Sequence, residues 1–431
     1  MLGVPRSLLK EVLVSAEEHI RSVAGTVIER RVARVPEGPR KTLVFYGVRR
    51  SGKTFILYDL FLRHADQALY VDFEDDRLAD FSLRDFDALR EVFFELKPRG
   101  AHARPWFLLD EVQNVAGWEK FCRRAAEREG IRVVVSGSSS RIAPREIATE
   151  LRGRSWSAEV LPFSFAEYLQ ARGMDPGDRA LPFGSRKATV ARHFADFLRW
   201  GGFPEVALLE RAHDRAKLLR EYLSAMFFRD LVERYSISNI PLLDALAERL
   251  FSSFATKASL TSIHREFQDR FRFSKDSLFA YYRHFVDSML VFEVRMLAES
   301  AARRMRNPPK IYLVDTGLCR RVTSADSGRL LENAVHVELR RRGFEPFYFQ
   351  GERECDFVVR DAQGAMTPIQ VCLELDAANR ERELGGLKEA CRHVGAREGT
   401  ILTMSEQAEF REDGIVVRVE PAWRWCLGGG A

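Results

Sequence analysis

Short apolar runs alternate with amphipathic stretches over the first third of the chain. Runs of this kind, bounded by polar residues, are typical of strands that are buried on both faces. We therefore predict strands at residues 43–46, 70–73, 106–109 and 132–135, with a helix at 55–60 after the first of them. Because alternating strands and helices favour a parallel sheet, residues 1–165 are predicted to form an α/β domain.

Beyond this point the apolar spacing becomes helical. Large apolar residues recur every three or four positions, as at Phe194, Phe197 and Leu198, which is typical of packed amphipathic helices. We predict a helical lid over residues 166–237. Its phenylalanine stripes are interpreted as core rather than as a binding site.

Residues 238–325 combine three predicted helices with two strands. The helices are predicted at 241–256, at 260–267 with Ser259 as cap, and at 275–287 with Ser274 as cap. Strands at 290–294 and 310–314 would be joined by a basic hairpin. A helix-turn-helix with a wing is the simplest arrangement of these elements.

The composition is that of a folded protein with several domains. The chain has 431 residues, of which 46% are hydrophobic, including 31 phenylalanines, and this length suits about two to four domains. No apolar run approaches the roughly 20 residues of a membrane span, and charged residues interrupt the first turns of the chain, so neither a membrane partner nor a signal peptide is expected. Six cysteines without a C-x-x-C pair favour reduced thiols and a cytoplasmic location.

Positive charge is concentrated in the predicted winged-helix region. Residues 256–310 contain 11 Lys and Arg against 6 Asp and Glu, an excess equal to the +5 of the whole chain, and such a local excess suits DNA. On the third helix Leu278, Tyr281 and Phe285 have the spacing of a core face. The predicted DNA-binding residues are therefore Lys275, Tyr282 and Arg283 of this helix and Arg303, Arg304 and Arg306 of the hairpin. A protein-docking surface or a solvated basic face is the alternative.

Residues 47–54 have the sequence G-x-x-x-x-G-K-[ST], which binds the phosphates of nucleoside triphosphates. Glycines let the backbone curl until successive N–H groups point at phosphate oxygens, Lys53 reaches the β- and γ-phosphates, and the Thr54 hydroxyl holds Mg²⁺. The flanking strand and helix favour this function over a simple surface turn. The predicted nucleotide-binding residues are Gly47, Arg50, Ser51, Gly52, Lys53, Thr54 and Phe55.

The third and fourth strands end in polar residues that suit hydrolysis. Asp110 would hold Mg²⁺ through water, and Glu111 would polarise the attacking water, although such a pair can also be a solvated strand end. Ser138 would orient the same water or, alternatively, cap a helix. Farther on, Arg152 or Arg154 would serve a neighbouring subunit as an arginine finger, with surface ion pairs or DNA phosphate contacts as the alternative.

Together with segments 107–120, 136–154, 161–168, 201–205, 228–231 and 313–318, the phosphate loop makes nearly the whole chain resemble the prokaryotic AAA+ ATPases of the archaeal-ATPase group. This resemblance implies ATP rather than GTP as the nucleotide. It also implies an AAA+ core, a helical lid, a winged helix, a nuclease-like C-terminal domain and action on DNA.

The last segment, residues 326–431, carries a carboxylate pattern of its own, on a helix at 330–342 and strands at 354–359 and 369–375. It resembles the PD-(D/E)xK nuclease fold, in which acidic groups bind Mg²⁺ and a lysine activates water. Here Cys372 stands in the lysine position and Gln370 is uncharged, so a DNA-binding or structural remnant is favoured over cleavage, unless Lys388 or Arg380 substitutes. The residues of this degenerate site are Glu332, Asp356, Gln370 and Cys372.

The predicted fold is thus α/β, with a P-loop AAA+ core, a helical lid, a winged helix and a restriction-endonuclease-like domain. We predict an ATP-hydrolysing motor, a homo-oligomer in the form of a hexameric ring, that remodels, migrates or translocates on duplex or branched DNA. Two alternatives stay open. One is an ATP-dependent signalling switch, and the other is an ATP-regulated nuclease.

Overall fold

The computed structural model describes residues 3–30, 41–98, 104–138, 151, 153–321 and 326–428. It divides into two compact units, Met1–Leu161 and Pro162–Ala431. The helices of the first unit are α1 (Arg6–Ser22), α2 (Lys53–Arg63), α3 (Asp85–Leu96) and α4 (Trp118–Arg128). Its strands are β1 (Thr42–Gly47), β2 (Ala68–Asp72), β3 (Trp106–Asp110), β4 (Arg132–Ser138) and β5 (Ser155–Glu159).

The strands of the first unit form one parallel sheet in the order β2-β3-β4-β1-β5. Along each strand, successive side chains point to opposite faces of the sheet. Phe107 and Leu109 enter the core shared with α1, α3 and α4, whereas Leu108 enters the core shared with α2. Burial on both faces explains the continuous apolar runs, and the four predicted strands and the first helix are confirmed within a few residues.

The second unit begins with helices and continues into a mixed sheet. Its helices are α5 (Phe165–Ala171), α6 (Gly184–Trp200), α7 (Pro204–Leu208), α8 (Ala212–Ala225), α9 (Ile240–Ser252), α10 (Leu260–Phe267), α11 (Lys275–Asp287), α12 (Ala301–Arg306), α13 (Ser327–Arg341), α14 (Arg380–Val394) and α15 (Ala422–Cys426), with a π-helix at Met226–Glu233. Its strands are β6 (Thr256–Lys257), β7 (Val291–Met296), β8 (Lys310–Leu313), β9 (Glu345–Gln350), β10 (Glu354–Arg360), β11 (Met366–Val371), β12 (Glu398–Thr403), β13 (Ala408–Glu412) and β14 (Ile415–Pro421).

One nine-stranded sheet runs through this unit in the order β13-β14-β12-β11-β10-β9-β7-β8-β6. Strand β7 pairs with β9 in parallel, with Arg295 opposite Phe347 and Met296 opposite Tyr348. The strands of the predicted winged-helix segment and those of the last segment therefore share a sheet. The division of the chain into four domains stays a prediction, as do the winged-helix and nuclease-like identities.

Local signals account for most helix boundaries of this unit, and two predictions need correction. Ser259 and Ser274 cap α10 and α11 as predicted, each accepting a backbone hydrogen bond from the residue three positions on. The helix predicted at 241–256 ends at Ser252, because Thr256 pairs with Ile311 in the sheet. Strands β7 and β8 of the predicted basic hairpin pair antiparallel, with Val291 opposite Leu313, but helix α12 lies in the connection between them, capped by Ser300 and composed of residues with high helix propensity.

The six cysteines are buried and free of disulfides. Burial keeps them in the neutral thiol form and out of contact with oxidants. Among the residues that the structure describes, no helix has both the length and the apolar surface that a membrane crossing demands.

Candidate functional site

The phosphate loop connects the end of β1 to the start of α2. At Gly47 a Cβ atom would lie 2.1 Å from the carbonyl oxygen of Val160, so no other residue fits there. Gly52 has a φ of 93°, and the exposed Arg50 has a φ of 65°, both in the left-handed region that favours glycine. Since α2 begins at Lys53, its first N–H groups are directed at the loop, where an anion is stabilised.

The side chains of the loop fit a nucleoside triphosphate. Lys53 is 6% exposed, and its Nζ donates to the carbonyl oxygens of Gly47 at 3.1 Å and Val48 at 3.0 Å. The hydroxyl of Ser51 is fully buried and has no hydrogen-bond partner within the described ranges, a condition that costs about 1–3 kcal/mol. A phosphate oxygen would accept this hydrogen bond. Thr54 is half-buried, and Phe55 is exposed on the same turn.

Asp110 is held by two hydroxyl groups that sequence reasoning missed. Tyr70 on β2 donates to Oδ2 of Asp110 at 3.0 Å, and Ser136 on β4 donates to Oδ1. Asp110 is 2% exposed, so both hydrogen bonds satisfy a buried carboxylate. The register of parallel strands was the available signal, because Asp72 lies opposite Asp110 and Val135 lies opposite Leu109, which places Tyr70 and Ser136 on the strands beside Asp110.

Glu111 follows in a strained conformation, with a φ of 47°. Gln113 donates from Nε2 to Oε2 of Glu111. Burial raises the pKa of Glu111, and the charge of Lys53 opposes that shift. At the end of β2, burial also raises the pKa of Asp72 to about 6. Backbone strain at Arg50 and Glu111 and raised pKa values at Asp72 and Glu111 therefore occur at this edge of the sheet, a combination that is common in active sites.

Arg30 is a further residue that the sequence did not reveal. Its guanidinium donates to the carbonyl oxygen of Ser51 in the phosphate loop and to that of Leu161, each at 2.7 Å. Arg30 therefore links the loop to the end of the first unit. No motif marks such a residue, since it is defined only by two backbone contacts made after folding.

The remaining predicted hydrolysis residues are placed only in part. Ser138 is the last residue of β4 and pairs with Gly47 of β1, but its side chain lies outside the described residues, as does Arg152. Arg154 is about half exposed, and its Nε lies 2.8 Å from Oε1 of Glu127 on α4. The role of each in hydrolysis stays a prediction.

The second unit brings three of its carboxylates around one lysine. Nζ of Lys310 lies 2.8 Å from Oδ1 of Asp356, 3.0 Å from Oε1 of Glu332 and 2.7 Å from Oε1 of Glu354. The Lys310 side chain is 4% exposed. Burial by itself lowers the pKa of Lys310, but the surrounding acidic groups outweigh it and hold the pKa well above its usual range. The ammonium therefore stays charged at the centre of the cluster.

The substitutes that the sequence suggested for the missing lysine lie elsewhere. Lys388 pairs with Glu412 at 2.7 Å and with Asp413 at 2.9 Å. Arg380 also forms an ion pair with Glu412. Lys310 was missed because it precedes the predicted last domain in the chain.

The residues at the degenerate positions are buried beside this cluster. Gln370 accepts from the backbone N–H of Asp356 at 3.1 Å and donates to Glu383 at 2.5 Å. Burial raises the pKa of the Cys372 thiol to about 12, so this side chain stays neutral. An adjoining cleft has a volume of about 950 Å³.

The predicted DNA-binding residues are exposed, with Tyr282 as the main exception. Lys275 and Arg283 of α11 and Arg303 and Arg306 of α12 are exposed, whereas Arg304 is half-buried. Tyr282 is wrongly predicted: it is 3% exposed, and its hydroxyl donates to Glu293 at 2.6 Å. It takes the core position expected for Tyr281, which is half-buried.

Comparisons with known proteins show what this chain is similar to. A family model described as an AAA domain matches residues 39–169, and two models described as domains of unknown function match residues 191–329 and 327–422. An uncharacterized protein of Haemophilus influenzae is 24% identical over 351 residues, which cover 79% of this chain and 84% of that protein. Among solved structures, the Walker-type ATPase PABY2304 of Pyrococcus abyssi matches 71% of this chain and 95% of its own, with 13% identity and a TM-score of 0.41.

The uncharacterized protein MJ1544 of Methanocaldococcus jannaschii is 32% identical to this chain over 405 residues, which cover 90% of this chain and 89% of that protein. The predicted resemblance is thereby confirmed for the ATPase core. The chain belongs to one family with MJ1544 of M. jannaschii, and it contains an AAA domain of the P-loop ATPase class.

Proposed function

We propose that the protein hydrolyses ATP with Mg²⁺ as cofactor and uses the energy as an oligomeric motor on duplex or branched DNA. The observation that carries the ATPase proposal is the meeting of the phosphate loop, Asp110 and Glu111 at one edge of the first sheet. Asp72, Asp110 and Ser138 end adjacent strands, and Ser138 pairs with Gly47. In parallel sheets ligands bind outside these carboxyl ends.

Each residue of this edge has a distinct task in hydrolysis. Lys53 and the loop N–H groups bind the phosphates, and Ser51 donates to one of their oxygens. Thr54 and Asp110 would hold Mg²⁺, which supplies positive charge to the phosphate oxygens when bound. Glu111 accepts a proton from the attacking water, whose oxygen bonds to the γ-phosphorus while the bond to the bridging oxygen of ADP breaks. The nearby charge of Lys53 favours the ionised form of Glu111.

DNA is proposed as the substrate of the motor because basic and aromatic side chains lie side by side at exposed positions of α11. Nζ of Lys275 lies 5.6 Å from the centre of the Phe279 ring, which is 36% exposed. Cations beside exposed rings suit a phosphate backbone with unpaired bases. The test is the steady-state ATPase rate with and without duplex, single-stranded and four-way DNA. We expect at least one of them to raise the rate several-fold, and a rate that none of them changes would favour the signalling switch.

A ring is proposed because the arginines that follow β4 would complete a neighbour's site. With ATP present, the Glu111→Gln variant is expected to bind nucleotide without turning it over and to assemble into a hexamer. Native mass spectrometry would measure the assembly, with Lys53→Ala as the control that does not bind nucleotide. A Glu111→Gln chain that stays monomeric while it holds ATP would count against catalysis between subunits.

The carboxylate cluster of the second unit is proposed to hold its own lysine where a nuclease holds a metal ion. Lys310 already neutralises Glu332, Glu354 and Asp356, so a divalent cation would have to displace a buried ammonium. We expect the wild-type protein to leave supercoiled, linear and four-way DNA intact in Mg²⁺ or Mn²⁺. Cleavage that disappears in Asp356→Asn would overturn this proposal in favour of the ATP-regulated nuclease.

A variant that is expected to gain metal binding also tests this proposal. Lys310→Met opens the cation position, so we expect it to bind Mn²⁺ more tightly than the wild type, measured from the signal of free Mn²⁺ in electron paramagnetic resonance. A further Asp356→Asn substitution should remove the gain. Equal Mn²⁺ binding by the wild type and Lys310→Met would contradict the exchange of lysine for metal.

A further inference from the structure

Gln113 lies beside the proposed general base, Glu111. The oxygen of its side-chain amide accepts no hydrogen bond from the described residues. Gln113 belongs to the short 3₁₀ turn Val112–Asn114, which directly follows Glu111. Its Nε2 donates to Oε2 of Glu111, and its Oε1 is buried.

The orientation of this amide follows from the carboxylate. An ionised Glu111 offers only acceptors, so the NH₂ group of Gln113 must face it and Oε1 must point away. A buried acceptor without a donor costs free energy and is rare in native proteins. The neighbouring Asn114 in the same turn faces the backbone instead, because its Nδ2 donates to the carbonyl of Phe73 at 3.2 Å.

The attacking water would supply the hydrogen-bond donor that Oε1 of Gln113 lacks. A water molecule has two protons, and hydrolysis needs one of them directed at Glu111. A second acceptor close to that carboxylate can take a hydrogen bond from the other proton. The lone pairs of the water oxygen are then left to face the phosphorus, which is the orientation that in-line attack requires.

We propose that Gln113 is a positioning residue for ATP hydrolysis: Nε2 holds the Glu111 carboxylate in place, and Oε1 orients the attacking water. During the step one water proton passes to Glu111, the water oxygen bonds to the γ-phosphorus as the bond to the bridging oxygen breaks and ADP leaves, and the other proton stays on the phosphate product with its hydrogen bond to Gln113. This inference rests on the proposed ATPase function and adds a residue to it.

The experiment compares Gln113→Met with the wild type and with Asn114→Ala as the matched control. ATP affinity is measured by displacement of a fluorescent nucleotide, kcat by phosphate release, and folding by thermal unfolding. We expect Gln113→Met to bind ATP as the wild type does and to lose about 10- to 100-fold in kcat, which is less than the roughly 10²- to 10⁴-fold that a general base itself contributes. Asn114→Ala should retain the wild-type kcat.

The comparison of kcat with ATP affinity separates positioning from a structural role. A merely structural change would lower thermal stability or ATP affinity together with kcat, whereas the loss of a positioning residue lowers kcat alone. Gln113→Glu answers the case in which the methionine variant does not fold. Its carboxylate keeps the length of the side chain but cannot donate to Glu111, so this variant should also bind ATP and lose kcat.

The outcomes distinguish this inference from the function on which it rests. A wild-type chain that binds ATP and never hydrolyses it would overturn the ATPase proposal, and the role of Gln113 would fall with it. A wild-type chain that hydrolyses ATP, together with folded Gln113 variants of unchanged kcat, would overturn the role of Gln113 alone.

Discussion

Nζ of Lys310 lies 2.8 Å from Oδ1 of Asp356, although their strands β8 and β10 are separated in the sheet by β7 and β9. A contact over this span joins the segment that carries α12 to the carboxylates of the last segment. It also explains how Glu332 and Asp356 stay close together inside the second unit, because adjacent carboxylates without a cation would repel one another. The lysine is thus part of what holds this region of the second unit in place.

The first prediction concerns the stability that this lysine supplies. Lys310→Met leaves buried carboxylates without their partner, which costs about 3–5 kcal/mol. Urea unfolding should show this loss in the free energy of unfolding. In the control Lys388→Met, the partners Glu412 and Asp413 are 37% and 54% exposed, and such pairs contribute at most about 1 kcal/mol. Equal losses in the two variants would rule out a special role for Lys310.

The phosphate loop and Lys310 show which parts of the two sites could be predicted from this sequence and which could not. The loop could be predicted because its conformation follows from eight adjacent residues, including Gly47 and Lys53. The role of Lys310 could not be predicted, because Lys310 and Asp356 are 46 residues apart in the sequence and come into contact only in the folded chain. The tyrosines of α11 fall between these two cases, because Tyr281 and Tyr282 both suit the helical spacing from Leu278, and only packing decides that the second is buried.

The second prediction concerns Tyr70, which donates to Asp110 at 3.0 Å. Tyr70→Phe removes the hydroxyl and keeps the ring, so the fold and ATP affinity should change little. Loss of a hydrogen bond to a metal-binding carboxylate weakens the metal by about 10- to 100-fold. The Mg²⁺ concentration for half-maximal ATPase rate should therefore rise by that factor.

Tyr348→Phe is the matched control for this variant. It makes the same chemical change in the second unit, where the Tyr348 hydroxyl donates to the carbonyl of Pro308 at 2.9 Å. Its Mg²⁺ dependence should equal that of the wild type. If Tyr70→Phe shows the same dependence as Tyr348→Phe, the hydroxyl of Tyr70 has no part in holding the metal.

The third prediction is a pH dependence of stability from Asp315. This carboxylate accepts backbone hydrogen bonds from Gly202 at 2.7 Å and from Gly317 at 2.8 Å. Burial raises the pKa of Asp315 from 3.8 to about 7, so the folded state binds its proton more tightly than the unfolded state does. The stability from this group is full below its unfolded pKa and is lost as the pH rises through its folded pKa.

Asp315→Asn removes this titration and makes the effect measurable. The free energy of unfolding of the wild type, relative to Asp315→Asn, should fall by at most about 1.4 kcal/mol per pH unit. The fall should lie between the ordinary pKa of 3.8 and the raised value of about 7. A difference between the two proteins that is constant over this range would mean that Asp315 is ionised throughout.

The fourth prediction tests the exposed basic residues of α11 as a DNA surface. Lys275→Glu with Arg283→Glu should weaken binding to any duplex sequence, because lysine and arginine on an exposed helix face contact phosphates rather than identify bases unless they enter a groove. Each phosphate contact that is lost should reduce the slope of log K against log salt by about 0.9. Fluorescence anisotropy of a labelled duplex over a salt series measures both quantities.

Two further variants make this prediction specific to the helix face. Lys217→Glu with Arg211→Glu changes the charge by the same amount at exposed positions around α8 and should leave the DNA affinity and salt slope almost unchanged. Tyr282→Phe should lower stability, since it breaks the 2.6 Å hydrogen bond to Glu293, and should not alter the salt slope. Equal losses of affinity in the α11 and α8 pairs would mean that net charge, and not this surface, attracts the DNA. A salt slope that neither pair changes would instead favour α11 as a protein-docking helix.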